Sequence, residues 1–302
     1  MAIVVVGSVA LDSITTSRGT YPHRLGGSAT YFSLAARRST TVRIVAAVGG
    51  DFPPHLRGAL RHPRVDLAGL AVLPGKTFRW AGRYSEDFAS RDTTGLWLGV
   101  FETFRPHLPA QARSSSSVFL ANIDPRLQGL VLSQVERPRL IAVDTIDHWI
   151  RHERAALLKL LRRVDMIFLN EEEAQLLTQA RSHRAMGAWL RRAGPSVVII
   201  KQGWYGAVGW CGHSMVWVPA YPVDETVDPT GAGDSFAGGV LGVLDRAKRI
   251  DVDVLRHAML YGSVIGSFCV EAVGVAGLQR LTTARFERRL ANLKRISGLR
   301  VS

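Results

Sequence analysis

The sequence predicts an α/β fold: a doubly wound, mostly parallel sheet with helices on both faces and a small inserted β-sheet acting as a lid. Three observations carry this expectation. Short β-branched runs recur, and their near-continuous apolar character suits strands covered on both faces. Helix-patterned segments alternate with them, as in a parallel sheet built from βα units. One stretch rich in aromatics and threonine breaks the rhythm and alternates with a period of two.

In chain order, "IVVV" at 3–6 reads as a first strand and 28–38 as the first helix. Strands follow at 43–48, 118–121 and 140–144, then a helix at 151–163. The strand 166–170 leads into helices at 171–179 and 183–193, and 197–201 is the last β-branched run. Three helices, 232–247, 252–271 and 282–296, complete the chain. The exceptional segment, 76–104, predicts an antiparallel hairpin or meander, to which 13–25 adds a strand. Such a sheet at the carboxyl ends of the parallel strands is placed to be a lid, and a homodimer through the lid is compatible with it. The serines at 114–117 read as a polar turn before a strand.

Composition supports one large domain, 1–302, with 47% hydrophobic and 21% charged residues. No apolar run approaches the roughly 20 residues that span a bilayer, and "MAIVVVGSVALDS" reads as a buried strand rather than a signal peptide. Cys211 and Cys269 make no disulfide framework and fit a reducing, cytoplasmic setting. The net charge of +13 raises nucleic acid as a partner. Its arginines are scattered, however, without a basic block or a basic–aromatic stripe, so neither nucleic acid nor membrane is an expected partner. His148 and His152 have helical spacing, but Trp149 follows His148 where a zincin needs glutamate.

The chemistry concentrates in "VDPTGAGDSF", 227–236. Gly231, Ala232 and Gly233 let the backbone turn and aim successive amides one way, and the following helix adds its positive end. That is a cradle for a phosphate or a transferring phosphoryl group. Asp234, in the first helical turn beside it, is placed to take a proton from an attacking hydroxyl. A P-loop is excluded because no G-x-x-x-x-G-K-[ST] exists, and a dinucleotide fingerprint because Phe236 replaces its third glycine. A plain glycine turn capped by Asp234 is the bland alternative.

"DPTGAGD", 228–234, resembles the signature of the ribokinase-like, or PfkB, carbohydrate kinases. The likeness runs along nearly the whole chain, through "GSVALD" (7–12), "GGSAT" (26–30), "VGGDFP" (48–53) and "NEEE" (170–173). It implies an ATP-dependent kinase acting on a hydroxyl of a small sugar or polyol, with Mg2+. Asp234 would be the base, and the amides of Gly231, Ala232 and Gly233 the anion hole. Asp12, at the end of the first strand, would hold the acceptor with Gly26 and Gly27; separately from the resemblance, Asp124 in "ANIDP" ends a strand at the crevice and is a candidate acceptor contact. Asn170 and Glu173 would organise Mg2+ through water, and Asp228 and Thr230 match positions that in some members bind a monovalent cation such as K+. Adenine would lie near Lys201, Gly203, Thr226, Gly262 and Gly274. Asp51 reads as a turn or cap residue.

One departure bears on the acceptor. Tyr31 stands where many members place an asparagine, which points to a more apolar acceptor or to a ring facing the core. In the lid, Arg79, Trp80 and Arg83 are candidates for specificity or for an interface. A nucleoside or inositol kinase, and a non-catalytic nucleotide-binding sensor, are the alternative readings.

Overall fold

The computed structural model describes residues 1–88 and 90–298. Residue 89, within the expected 76–104 lid, and 299–302 lie outside the described residues. The strands are β1 Ala2–Val6, β2 Ala10–Thr16, β3 Gly19–Gly26, β4 Thr41–Gly49, β5 Val65–Leu73, β6 Arg79–Tyr84 and β7 Arg91–Trp97. They continue with β8 Ser117–Leu120, β9 Leu140–Asp144, β10 Met166–Asn170, β11 Val197–Lys201, β12 Ala207–Cys211 and β13 Ser214–Val218.

Nine strands form one sheet in the order β13-β12-β11-β10-β9-β8-β1-β4-β5. From β11 to β5 every pairing is parallel, and β12 and β13 add an antiparallel edge. Two hydrophobic clusters, one containing Ile3, Val5, Phe119 and Phe168 and the other Val4, Val6, Val118 and Ile167, cover opposite faces. Alternate residues of β1 and β10 thus enter different clusters, which explains why these strands read as continuous apolar runs. β1 lies between β4 and β8, so the connections leave it in opposite directions, and a crevice opens at the carboxyl ends of these strands.

The second sheet has the order β3-β2-β6-β7. β6 and β7 are the expected hairpin, but β2 joins β6 in parallel rather than extending a meander. This changes the place of Asp12: it lies on β2, a lid strand, and not at the end of β1. The bound of 13–25 for the first lid segment widens to β2 and β3.

Three further expectations are corrected. The helix at 151–163 is two helices, Asp147–His152 and Arg154–Leu161, because Glu153 between them leaves helical geometry at φ −127 and ψ 30. The serines at 114–117 are more than a turn: Ser116 and Ser117 donate to Oδ1 of Asp245 at 2.7 Å each, and Thr40 donates to Oδ2 at 2.6 Å. Asp245 is fully buried at the crevice's opposite end of the sheet, so these hydroxyls satisfy it where water cannot. Third, β5, β12 and β13 carry no strand signal strong enough to have been expected.

Candidate active site

Pro229 stands in the irregular segment before the glycine loop, and the helix Ala232–Leu244 starts at once after Gly231. Gly231 occupies the left-handed region at φ 75, and no side chain caps the helix. Its first amides therefore keep their capacity for an outside acceptor. Ala232 is an exception, since its amide donates to the Pro229 carbonyl at 3.1 Å. Among the described hydrogen bonds, the Gly231 and Gly233 amides have no such protein acceptor. Of the three amides expected to form a cradle, that of Ala232 is thus already engaged within the loop.

Asp234 is half-buried in the first turn of this helix. Burial raises its pKa to about 7, and the Asp144 carboxylate adds to the rise, against Lys201 and Arg91, which lower it. A carboxylate held there is far more basic than one in water.

Lys201 ends β11 and reaches across the crevice to Asp144, which ends β9, with 3.0 Å between Nζ and Oδ2. A methyl on Gly233 would fall 3.2 Å from Nζ, so the ammonium lies against the glycine loop. Burial opposes its charge, but Asp144, Glu173 and Asp234 overcome that and raise its pKa. Lys201 thereby lies between the glycine loop and the carboxyl end of β9. Asn170 and Glu173 form a capping box at the start of the helix Glu171–Thr178, each side chain 2.7 Å from the other's amide. Burial lifts Glu173 to about 7 as well, with Lys201 lowering and Asp144 raising it.

On the lid side, Asp12 is buried and accepts from the Gly27 amide at 3.3 Å. Burial again dominates, raising its pKa to about 7. Gly26 and Gly27 are both forced by contact: a methyl on Gly26 would fall 1.8 Å from Oδ2 of Asp12, and one on Gly27, at φ 93, 2.5 Å from the Ser8 carbonyl oxygen. Tyr84 of β6 joins the lid to the glycine loop, 2.9 Å from Oγ1 of Thr230 to its hydroxyl. Arg91 of β7 is exposed on the lid, and its charge acts on Asp12, Tyr84 and Asp234 alike. Asp51 roots the lid: it accepts from the amide and hydroxyl of Thr77 at 2.7 Å each and pairs with Arg79 at 2.7 Å.

Several expected site residues have partners within the protein. Asp124 caps the helix Pro125–Val131 and pairs with Arg126, whose guanidinium lies 2.6 Å away and, burial notwithstanding, holds the Asp124 carboxyl below its usual range. Gly262 is a packing glycine: a methyl there would fall 2.7 Å from the Phe236 carbonyl oxygen in the neighbouring helix. The Gly274 amide donates to Asp228 Oδ2 at 2.7 Å, and the Thr230 amide to Oδ1 at 2.9 Å. Asp228 is fully buried, and Thr230 is engaged by Tyr84. Asp228 is thus tethered by two backbone amides and Thr230 by the Tyr84 hydroxyl. Tyr31 is 1% exposed, and a methyl on Gly231 would fall 2.2 Å from its Cγ, so its ring is the floor of the glycine loop. Gly203 opens a 3-10 turn, Gly203–Tyr205, at φ 56, and Thr226 is half-buried in the loop leading to Asp228.

The family model of the pfkB family carbohydrate kinases matches residues 140–280. A cytidine kinase of Thermococcus kodakarensis is 30% identical over 82% of this chain and 90% of its own length. The chain belongs to the pfkB family of carbohydrate kinases. It is an ATP-dependent phosphotransferase with an alcohol group as acceptor. An inositol 3-kinase of Oryza sativa is 28% identical over 90% of this kinase and 69% of its own length. Among solved structures, Burkholderia thailandensis nucleoside kinase in complex with inosine superposes with a TM-score of 0.78 at 20% identity, covering 99% of each chain. That likeness establishes the ribokinase-type fold.

The sequence reading passed over three residues of this kinase that the fold brings to the crevice: Asp144, Tyr84 and Arg91. Asp144 had a signal, since it closes a predicted strand at its carboxyl end, where crevice residues of open α/β sheets lie. Tyr84 and Arg91 had none. They face the site only because β7 pairs with β6, and β6 with β2.

Proposed function

We propose that this kinase transfers the γ-phosphoryl group of ATP to a hydroxyl of a small sugar, polyol or nucleoside, with Asp234 as general base. One observation carries the reading: a carboxyl with pKa about 7 sits at the start of an uncapped helix, beside the Gly231 and Gly233 amides and the Lys201 ammonium. Asp12, with Gly26 and Gly27, holds the acceptor's other hydroxyls. Asp234 takes the proton as the hydroxyl attacks, and the two amides with Lys201 stabilise charge on the transferring group. The lid excludes water, so that the acceptor attacks in its place.

Mg2+ fits the site in the way this ion is usually held, by few carboxylates and retained waters together with ATP. Among the described residues no cluster of three or more His, Cys, Asp or Glu forms a cage, whereas the desolvated Glu173 favours a nearby cation. Glu173 and Asn170 would hold its waters, and the ion would neutralise phosphate charge. The adenine end of ATP is assigned to Gly203 and Thr226. No helix among the described residues is long and apolar enough to cross a membrane. The free Cys211 and Cys269 suit the cytoplasm, and the exposed Leu96 and Trp97 suit a lid-mediated dimer.

The test is an ATP and Mg2+ screen of the purified protein over sugars, nucleosides and inositols. Phosphorylation of one acceptor class supports the reading. Tight nucleotide binding with no ATP consumption by any acceptor would favour a non-catalytic sensor instead.

A further inference from the structure

We propose that the Trp80 indole is a platform on which the acceptor's planar ring stacks, so that the physiological acceptor is a nucleoside; this rests on the kinase reading above. The lid register places the platform. Asp12 pairs with Trp80 and Ile14 with Gly82, while Gly82 pairs with Thr93 and Tyr84 with Arg91. Paired residues stand side by side on one face of a sheet, and alternate residues of a strand share that face. Asp12, Trp80, Gly82, Tyr84, Arg91 and Thr93 therefore form one surface. It faces the crevice, because Tyr84 reaches Thr230 and Asp12 reaches Gly27.

On that surface the indole is held in place. Its outer ring lies across Gly82, where a methyl would fall 2.1 Å from Cη2 and 2.2 Å from Cζ2. Glycine is thus the residue that lets the ring lie there. Nε1 donates to Oγ1 of Thr93 at 3.3 Å, and the Arg91 guanidinium carbon is 5.4 Å from the ring centroid. Trp80 is half-buried, so part of the indole remains exposed. An acceptor whose reacting hydroxyl meets Asp234 and whose neighbouring hydroxyls meet Asp12 extends its remaining substituent past the two residues paired with Asp12, Arg24 on β3 and Trp80 on β6, and of these Trp80 offers an aromatic face. A free sugar or cyclitol has no planar ring to place there. A nucleoside has its base, and Arg91 on its long stem can close over the base's edge.

The test compares Trp80→Ala, Trp80→Phe and Gly82→Ala with the wild type, using cytidine and inosine against D-ribose and myo-inositol. Gly82→Ala keeps the indole but drives it off its seat, and so separates stacking from loss of the residue. For nucleosides, Trp80→Ala and Gly82→Ala should raise KM about 5- to 150-fold, the span of base–aromatic stacking, with kcat within about twofold and Trp80→Phe recovering most of the loss. Ribose and inositol turnover should not change. Calorimetry with cytidine and inosine reads the same contact without turnover, and binding should weaken in parallel. The proposal is overturned if neither variant changes nucleoside KM or binding, or if all acceptors suffer equally. It is also overturned if the wild type phosphorylates sugars or cyclitols but neither turns over nor binds nucleosides, an outcome that leaves the kinase reading intact. Failure of every acceptor strikes the kinase reading itself, and the calorimetry still decides the platform.

Discussion

Asp234→Asn should yield a protein that is both inactive and more stable. At pH 8 the wild-type carboxylate is ionised in a crevice that disfavours the charge, holding its pKa at about 7 against an ordinary 3.8. At about 1.36 kcal/mol for each pH unit of displacement, that is a ceiling of ~4 kcal/mol. Asp234 is only half-buried, and crevice water and the nearby Lys201 relax around it, so about 1–2 kcal/mol is the expected gain on removing the charge. For a chain of this size that corresponds to a rise in Tm of roughly 2–6 °C. The sign follows from the raised pKa: the cost is full above about pH 7, shrinks as pH falls, and vanishes below the unfolded value near 3.8. Melting of both proteins from pH 8 to pH 4 should therefore show a gap that closes on acidification. In the same samples, turnover should fall by ~10²–10⁴, the usual contribution of a general base, with ATP binding retained. A variant that melts below the wild type at pH 8 would refute the desolvation argument. Near-normal kcat would refute the base.

Two further outcomes follow from the same geometry. Because the base must be unprotonated, kcat/KM for the acceptor should decline as pH falls through about 7 and be flat just above it, measured by a pH profile of the free enzyme. Tyr84→Phe removes the lid's bond to Thr230, and should raise acceptor-independent ATP hydrolysis several-fold, of the order of a lost hydrogen bond worth about 1 kcal/mol; the ratio of hydrolysis to phosphorylation checks it.

Much of the frame was legible because its signals are local. The runs at 3–6, 140–144, 166–170 and 197–201 fall on β1, β9, β10 and β11, since strands buried on both faces read as apolar whatever the topology. β5 did not read as a strand because Gly69 interrupts it. A methyl there would fall 2.6 Å from the Ile44 carbonyl oxygen, so the apparent breaker is a close approach between neighbouring strands. The glycine loop and the capping pair Asn170 and Glu173 were legible as motifs for the same local reason. The partners of those motifs were not. Lys201 meets Asp144, and Tyr84 meets Thr230, across 57 and 146 residues of chain, and only the sheet order makes them neighbours. Glycine is ambiguous in sequence for a related reason: of Gly262 and Gly274, read as ligand contacts, one also permits helix packing and the other also donates its amide to Asp228.

The ring of Tyr31 beneath Gly231 ties two properties together that an experimenter would prefer to vary apart. A smaller residue at this position would open a space in the core beside the crevice and in the same stroke take the support from under the backbone proposed to meet the phosphoryl group. Acceptor preference in this kinase is therefore better retuned from the lid, where side chains can be exchanged one at a time, than from the first helix. The glycine loop owes its rigidity to an aromatic residue about 200 positions away, and its shape is inherited from the core rather than imposed by what it binds.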